Sequence, residues 1–408
     1  MKSLYRKTLQ WFSGIIALAL LLPMVSHSGE SAERVMTGLD VLESGGFQEL
    51  RGKWVGVITN HTGVNSSGRH IVDLLCNAPG VKMAAIFTPE HGFEGKLDEK
   101  VASGTDPASR LPVHSLYGTS QRPTNELLKG LDALVFDIQS VGVRFYTYIT
   151  TMAYAMEEAA ENGLDFYVLD RPNPVDASVV EGPVLDEGLQ SFTAYFPMPV
   201  RHGMTMGELA LMFNTEYKIG AKLHVIPMRG YQRDLDYDDT GLPWPAPSPN
   251  LRTLTQTKLY PGVALIESAN VSVGRGTATP FELVGAPWIK KDELARYLSG
   301  QNLAGVKFVA EEFVPAENKY KNKVCQGVRI VIADDDALDP VVLGLELTAA
   351  LYRLYPDQFL IDKTLPMFGS QEVLDAIQDC ASTESIACVW EPQLERFKAM
   401  RAKYLLYP

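Results

Sequence analysis

The sequence predicts an α/β protein: a Rossmann-like parallel-sheet domain followed by a second, smaller α/β domain. Three observations carry that prediction. Short runs rich in β-branched and aromatic residues recur through the first half of the chain, with helix-like stretches between them. The runs are nearly continuous in apolar residues rather than alternating, as expected of parallel strands covered on both faces. Each is followed at once by a polar loop of unusual composition.

In chain order the strands are KWVGVIT at 53–59, VKMAAIF at 81–87, ALVFDI at 133–138 and DFYVLD at 165–170, with KLHVIPM at 222–228 as a fifth. IVDLLCNA reads as one intervening helix. The longer TTMAYAMEEAAENG reads as another, ending in an Asn-Gly suited to a helix C-terminus. Residues 35–235 therefore form the first domain. GLPWPAPSPN follows, and its prolines forbid regular structure, marking a linker or binding loop. Residues 236–408 form the second domain, with strands near VALIES and VRIVIA and helices near LGLELTAALYRLY and EPQLERFKAMRAKYL.

The amino end belongs to neither domain. Lys2, Arg6 and Lys7 precede WFSGIIALALLLPMV, and SHS supplies small residues for a cleavage near Ser28, so residues 1–28 read as a secretory signal peptide. The apolar run contains Pro23 and falls short of the roughly 20 residues of a spanning helix. A periplasmic or secreted protein without stable membrane insertion is expected. Cys76, Cys325, Cys380 and Cys388 are too few for a disulfide framework and read mostly as core residues, although Cys380 and Cys388 are near enough in sequence to pair. A formal charge of -12 argues against a nucleic-acid or anionic-membrane partner, both of which require a basic surface.

Function is to be sought at the strand ends. TNHTG, TPEHGFEG, QSVGVRFYTY and RPNP follow the first four strands, and in a parallel sheet those ends share one edge where ligands bind. Nucleotide chemistry is unsupported: there is no P-loop, and GRGTAT at 274–279 lacks the spacing and preceding strand of a dinucleotide fingerprint. Serine hydrolase motifs are missing too. His61 and His91 could meet Asp137 or Asp170 at a metal, but no paired-histidine spacing supports one. Carboxylate chemistry remains. Glu90 lies between Pro89 and His91 with Phe93 close by, and a glutamate against apolar walls is held protonated to higher pH, as a glycosidase general acid must be. The same glutamate could simply cap or salt-bridge its loop. His91 could orient it, contact substrate or be a plain loop histidine, and Asn60 and His61 share that ambiguity.

Motifs along the whole chain then point to one family. TNHTG, TPEHGFEG, FDIQSVGVRFYTY, LDRPNP, EGPVLD, RHGMTMGELA, PSPN, ANVSVGRGT, PFELVGAPW and the terminal RAKYLLYP together resemble the NamZ-like exo-β-N-acetylmuramidases. These are secreted or surface enzymes of peptidoglycan turnover, formerly a domain of unknown function. The resemblance runs from Gly38 to Pro408, with one departure: Ser140 stands where an acidic residue is expected after FDIQ. It implies hydrolytic release of N-acetylmuramic acid from the non-reducing end of peptidoglycan fragments, without a cofactor, in a cleft between the two domains. Carried over, the TPEHG glutamate is Glu90. Glu267 is the choice for a second carboxylate, ahead of Glu282 and Asp137, against the plainer reading of a strand-end ion pair. Asn270 and Arg275 are suited to sugar hydroxyls or the lactyl carboxylate, with Arg144 the other candidate for that charge. Either arginine could instead pair with a cleft glutamate. Trp244 and Tyr146 could stack on a pyranose, or Trp244 could pack between the domains. The alternative function is a catalytically impaired muropeptide-binding or sensing protein, for which Ser140 is the one hint.

Overall fold

A computed structural model describes residues 34–95 and 102–408, Glu384 by its backbone alone. The signal-peptide segment 1–28 lies outside the described residues. Among the described residues, ten strands form two sheets. β1 (Trp54–Thr59), β2 (Lys82–Thr88), β3 (Gly104–Thr105), β4 (Pro112–Ser115), β5 (Ala133–Asp137), β6 (Asp165–Leu169) and β7 (Lys222–Ile226) make a seven-stranded sheet in the order β3-β4-β2-β1-β5-β6-β7. β3 is antiparallel to β4; every other pairing in this sheet is parallel. The chain builds outward from β1 through β2 to β4, then returns to lay β5 on the other side of β1. The β1/β5 boundary is thus a topological switch point, where loops diverge and leave a crevice.

The apolar runs are continuous because both faces of these strands are buried. On β5, Ala133 and Val135 join Leu39, Leu42, Ile71 and Leu75 of the helices Gly38–Ser44 and Ile71–Asn77. Leu134 and Phe136 point the other way, into a core with Ile149, Met152, Met156, Leu209 and Phe213 of the helices Tyr148–Glu161 and Met206–Glu216. A two-residue period therefore separates two apolar layers.

β8 (Leu283–Ala286), β9 (Val306–Phe313) and β10 (Cys325–Ile332) form an antiparallel sheet in the order β8-β10-β9. The helices Lys291–Gly300 and Pro340–Leu354 accompany it, and its Val284, Val328 and Ile330 belong to the same core as Ile149 and Phe136. One core therefore underlies both sheets. GLPWPAPSPN carries no helix or strand, and the helices read at 343–355 and 391–405 overlap Pro340–Leu354 and Thr383–Arg401, running past their carboxyl ends by one residue and four.

Two expectations are corrected. VALIES is helical rather than extended: the helix Leu254–Val263 runs into a 3-10 turn at Ala264–Ile266. A capping box between Thr253 and Gln256 starts that helix, and Leu259, Val263 and Ile266 are all buried, so helical packing overrides the local β-branched content. The cysteines are not mostly core: Cys325 is buried, whereas Cys76, Cys380 and Cys388 are exposed, and all four are free thiols. The terminal RAKYLLYP returns to the first sheet. Tyr407 donates its hydroxyl to Asp170 Oδ2 at 2.6 Å, and the Leu406 amide donates to Glu208 Oε1 at 2.7 Å.

Candidate active site

Glu90 is delivered by the way β2 ends. Pro89 follows the last strand residue and cannot donate to a ladder, so the chain turns, with the Gly92 amide donating to the Pro89 carbonyl at 3.1 Å. His91 and Gly92 are both left-handed, at φ 68° and 71°. For a histidine that backbone is strained, of the order of 1 kcal/mol or more, and such strain collects where a side chain must be aimed. Here it places Glu90 and buried His91 on a cavity of about 200 Å³ whose apolar walls are Phe145, Tyr146, Tyr260, Phe281 and Met367. Thr147 donates its hydroxyl to Glu90 Oε2 at 2.7 Å.

Glu267 lines the same cavity, reached from the helix Leu254–Val263 through its 3-10 extension. Its carboxylate is ion-paired with Arg275 Nε, and its main-chain carbonyl accepts from Lys319 Nζ. Burial lowers the Lys319 pKa, opposed by the charge of Glu267 and assisted by that of Arg275. The Arg275 guanidinium also sits over Phe281, 5.3 Å from the ring centroid, and Phe281 is itself left-handed at φ 63°. The glycines flanking Arg275 serve the protein rather than a ligand. A Cβ on Gly276 would lie 2.6 Å from the Glu317 amide nitrogen, and both glycines have φ 80°.

The structure thus brings Glu90, His91, Tyr146, Glu267 and Arg275 to one cavity. The other candidates are committed elsewhere. Arg144 is 1% exposed and donates to the carbonyls of Pro183, Met198, Met367 and Phe368, so it is a core strut, not a reader of substrate charge. Asn60 braces its own loop: Nδ2 donates to the Tyr148 hydroxyl and Oδ1 accepts from Thr62. His61 Nε2 lies 3.0 Å from the Ala246 carbonyl, and burial lowers the His61 pKa. It lines a different cavity of about 400 Å³ with His70 and Phe93. Phe93 packs edge-on against His70 at 5.2 Å, so it is not the wall beside Glu90. Asn270 ties Gln358 to Leu360, bonding the carbonyl of one and the amide of the other. Glu282 pairs with Arg329 and accepts from Gln256. Trp244 donates Nε1 to the Leu251 carbonyl and meets Tyr237 edge-on at 5.0 Å, which is packing rather than a sugar platform.

Tyr146 lines the cavity but is packed edge-on against Tyr148 at 4.7 Å, and burial drives its pKa well above the ordinary value. Asp137 is buried in a two-point pair with Arg171, at 2.6 and 2.8 Å, and Asp170 accepts from Thr205, Gly207 and Tyr407. Neither is available to complete a metal site with His61 and His91. Among the described residues no three His, Cys, Asp or Glu side chains converge on a metal position. Residue-type reasoning passed over Thr147, Tyr260 and Phe281. The first lies inside the FYTY motif, two residues past Phe145, and that placement was the available signal.

Glu90, at the carboxyl edge of the parallel sheet, thus shares an aromatic-walled cavity with Glu267, the kind of paired-carboxylate arrangement that glycosidases use. The chain belongs to the exo-β-N-acetylmuramidase NamZ family: the N-terminal family model matches residues 55–255 and the C-terminal one residues 258–407. It is 43% identical over 399 residues to the peptidoglycan β-N-acetylmuramidase NamZ of Bacillus subtilis (strain 168), covering 97% of this chain and 96% of that one. Two crystal structures of DUF1343 family proteins from Bacteroides fragilis NCTC 9343 share the fold. One has a TM-score of 0.85 at 36% identity, covering 92% of this chain and 99% of that chain. The other has a TM-score of 0.75 at 32% identity, covering 91% and 99%.

Proposed function

We propose that this protein is an exo-β-N-acetylmuramidase that removes N-acetylmuramic acid from the non-reducing end of peptidoglycan fragments. The observation that carries the reading is the pairing of Glu90 and Glu267 on one cavity, with different immediate partners. Glu267 meets a guanidinium and so acts as a carboxylate, stabilising positive charge at the anomeric carbon or activating the attacking group. Glu90 meets a neutral hydroxyl between apolar walls and acts as the general acid, protonating the glycosidic oxygen as the bond breaks. Water supplies the hydroxyl that the sugar gains, so the reaction needs no electron carrier or transferred group.

The identity to the Bacillus subtilis muramidase over nearly the whole chain supports the substrate class. A substrate outside the cytoplasmic membrane fits residues 1–28 as an export signal and a periplasmic or secreted enzyme. Among the described residues, no helix is long and apolar enough to cross a membrane. Ser140 is buried and is not among the residues that line the cavity, so the departure from the expected acid leaves both glutamates in place and does not favour an impaired binding protein.

Turnover tests the proposal. The purified protein should release N-acetylmuramic acid from a disaccharide bearing it at the non-reducing end. Glu90→Gln, which keeps shape and loses the transferable proton, should lower that rate by about 10² to 10⁴. A folded wild type without turnover, or a Glu90→Gln variant retaining more than about a tenth of the rate, would overturn the corresponding assignment.

A further inference from the structure

We propose that Thr147 is a positioning residue for Glu90, fixing Oε2 so that Oε1 carries the proton delivered to the leaving oxygen. The inference rests on the muramidase reading and adds a residue to it. Among the described residues, four threonines immediately precede helices of seven residues or more, and three behave alike. Thr37, Thr205 and Thr253 have extended backbones, and each accepts from a main-chain amide of the first turn. Such a cap contributes typically about 1 kcal/mol. Thr147 precedes the 14-residue helix Tyr148–Glu161 and makes no cap bond. Its backbone is already helical, at φ -59° and ψ -20°, and its hydroxyl lies 2.7 Å from Glu90 Oε2. The hydroxyl that would have capped the helix is spent on a carboxylate lining the cavity.

The consequence is chemical. A hydroxyl donating to Oε2 leaves that oxygen an acceptor, so the proton of the acid form resides on Oε1, which has no hydrogen-bond partner among the described residues. In the transfer, the Oε1–H bond breaks as the proton joins the glycosidic oxygen and the C1–O bond opens. Thr147 keeps its own proton and donates to the carboxylate left behind, stabilising charge that develops only as the reaction proceeds.

Thr147→Val keeps the shape and removes the donor. With the N-acetylmuramyl disaccharide, a poor leaving group, kcat should fall at least about tenfold with KM within about twofold; an activated aryl N-acetylmuramide, which needs little protonation, should lose less than about threefold. Thr147→Ser should restore most of the loss. On a Glu90→Gln background, Thr147→Val should change the rate by less than about twofold, because both variants act through one group. Should Thr147→Val prove unstable, Thr147→Ala carries the same comparisons. Equal losses on both substrates, or the full loss repeated on the Glu90→Gln background, would overturn the proposal. An inert but folded wild type would instead sink the muramidase reading on which it rests.

Discussion

Glu267 is held from both sides, its carboxylate by Arg275 and its main-chain carbonyl by Lys319. Arg275 therefore has work within the protein before any substrate arrives, and removing it should strip the carboxylate of its counter-charge whichever sugar is bound. Hydrogen bonds to charged groups contribute about 1.5 to 3 kcal/mol, so Arg275→Ala should lower kcat/KM by about tenfold to a hundredfold on N-acetylmuramide and N-acetylglucosaminide alike. Measuring both substrates checks this. A preference that shifts by more than about tenfold would show that Arg275 reads the lactyl carboxylate as well. At this scale the placement of Glu90 on the cavity was legible in the sequence, since it follows an apolar strand that ends in an irregular polar turn, whereas Glu267 came to notice only through the family resemblance. Arg144, Asn60 and Asn270 misled for one physical reason. Polar side chains in motif loops are needed as much to bond buried main-chain groups as to meet a ligand, and residue type does not distinguish the two uses. Thr147 escaped notice because a threonine before a helix has an ordinary role as a cap, which this one does not take.

Among the elements, the helix Leu254–Val263 places the second carboxylate, and its own position is set by glycine. It crosses the helix Pro340–Leu354 so closely that a Cβ on Gly344 would lie 2.4 Å from the Gly262 carbonyl oxygen. One on Gly262 would lie 1.8 Å from the carbonyl oxygen of Pro340. Neither helix can retreat without disturbing what it carries, and the first carries Glu267 at the end of its 3-10 extension. Gly344→Ala should therefore destabilise by roughly 1 to 3 kcal/mol, the usual range for overpacking, and lower kcat in the same protein. Denaturant unfolding and turnover on one preparation measure both, and an unchanged midpoint would show that the helices can separate freely. Parallel strands were legible because burial on both faces leaves a continuous apolar run. VALIES was not, since the same composition suits a buried helix, and the Thr253–Gln256 capping box that decides between them begins ten residues upstream of Val263, outside the run itself.

At the scale of the molecule, the carboxyl terminus closes on the first sheet, and the closure buries charge. Asp170, at the end of β6 and wholly buried, accepts from Tyr407, Thr205 and Gly207; burial raises its pKa from 3.8 to about 6, and the hydrogen bonds oppose the rise. His202 lies nearby in sequence to Thr205, also buried, and burial together with the charges of Arg401 and Arg201 lowers its pKa from 6.5 to about 3. The two have opposite consequences for stability. Between pH 4 and 6 folded Asp170 keeps a proton that the unfolded chain has released, so its contribution falls as pH rises. Over the same interval unfolded His202 keeps a proton that the folded protein refuses, so its contribution rises with pH. Each variant should expose the other's slope. Relative to wild type, Asp170→Asn should be most destabilised near pH 4 and recover by roughly 2 kcal/mol by pH 6, because ionising Asp170 increasingly opposes folding of the wild type. His202→Asn keeps an acceptor for the Met204 amide and should show the opposite trend, losing ground to wild type as pH rises through that interval. Unfolding free energies across the range test both, and a difference from wild type that does not vary with pH would mean that neither group titrates differently on folding. Because Tyr407 donates to Asp170 from the far end of the chain, the Asp170 profile also reports whether the terminus is docked: Tyr407→Phe should lose one of the bonds that oppose the rise and move the Asp170 transition to still higher pH.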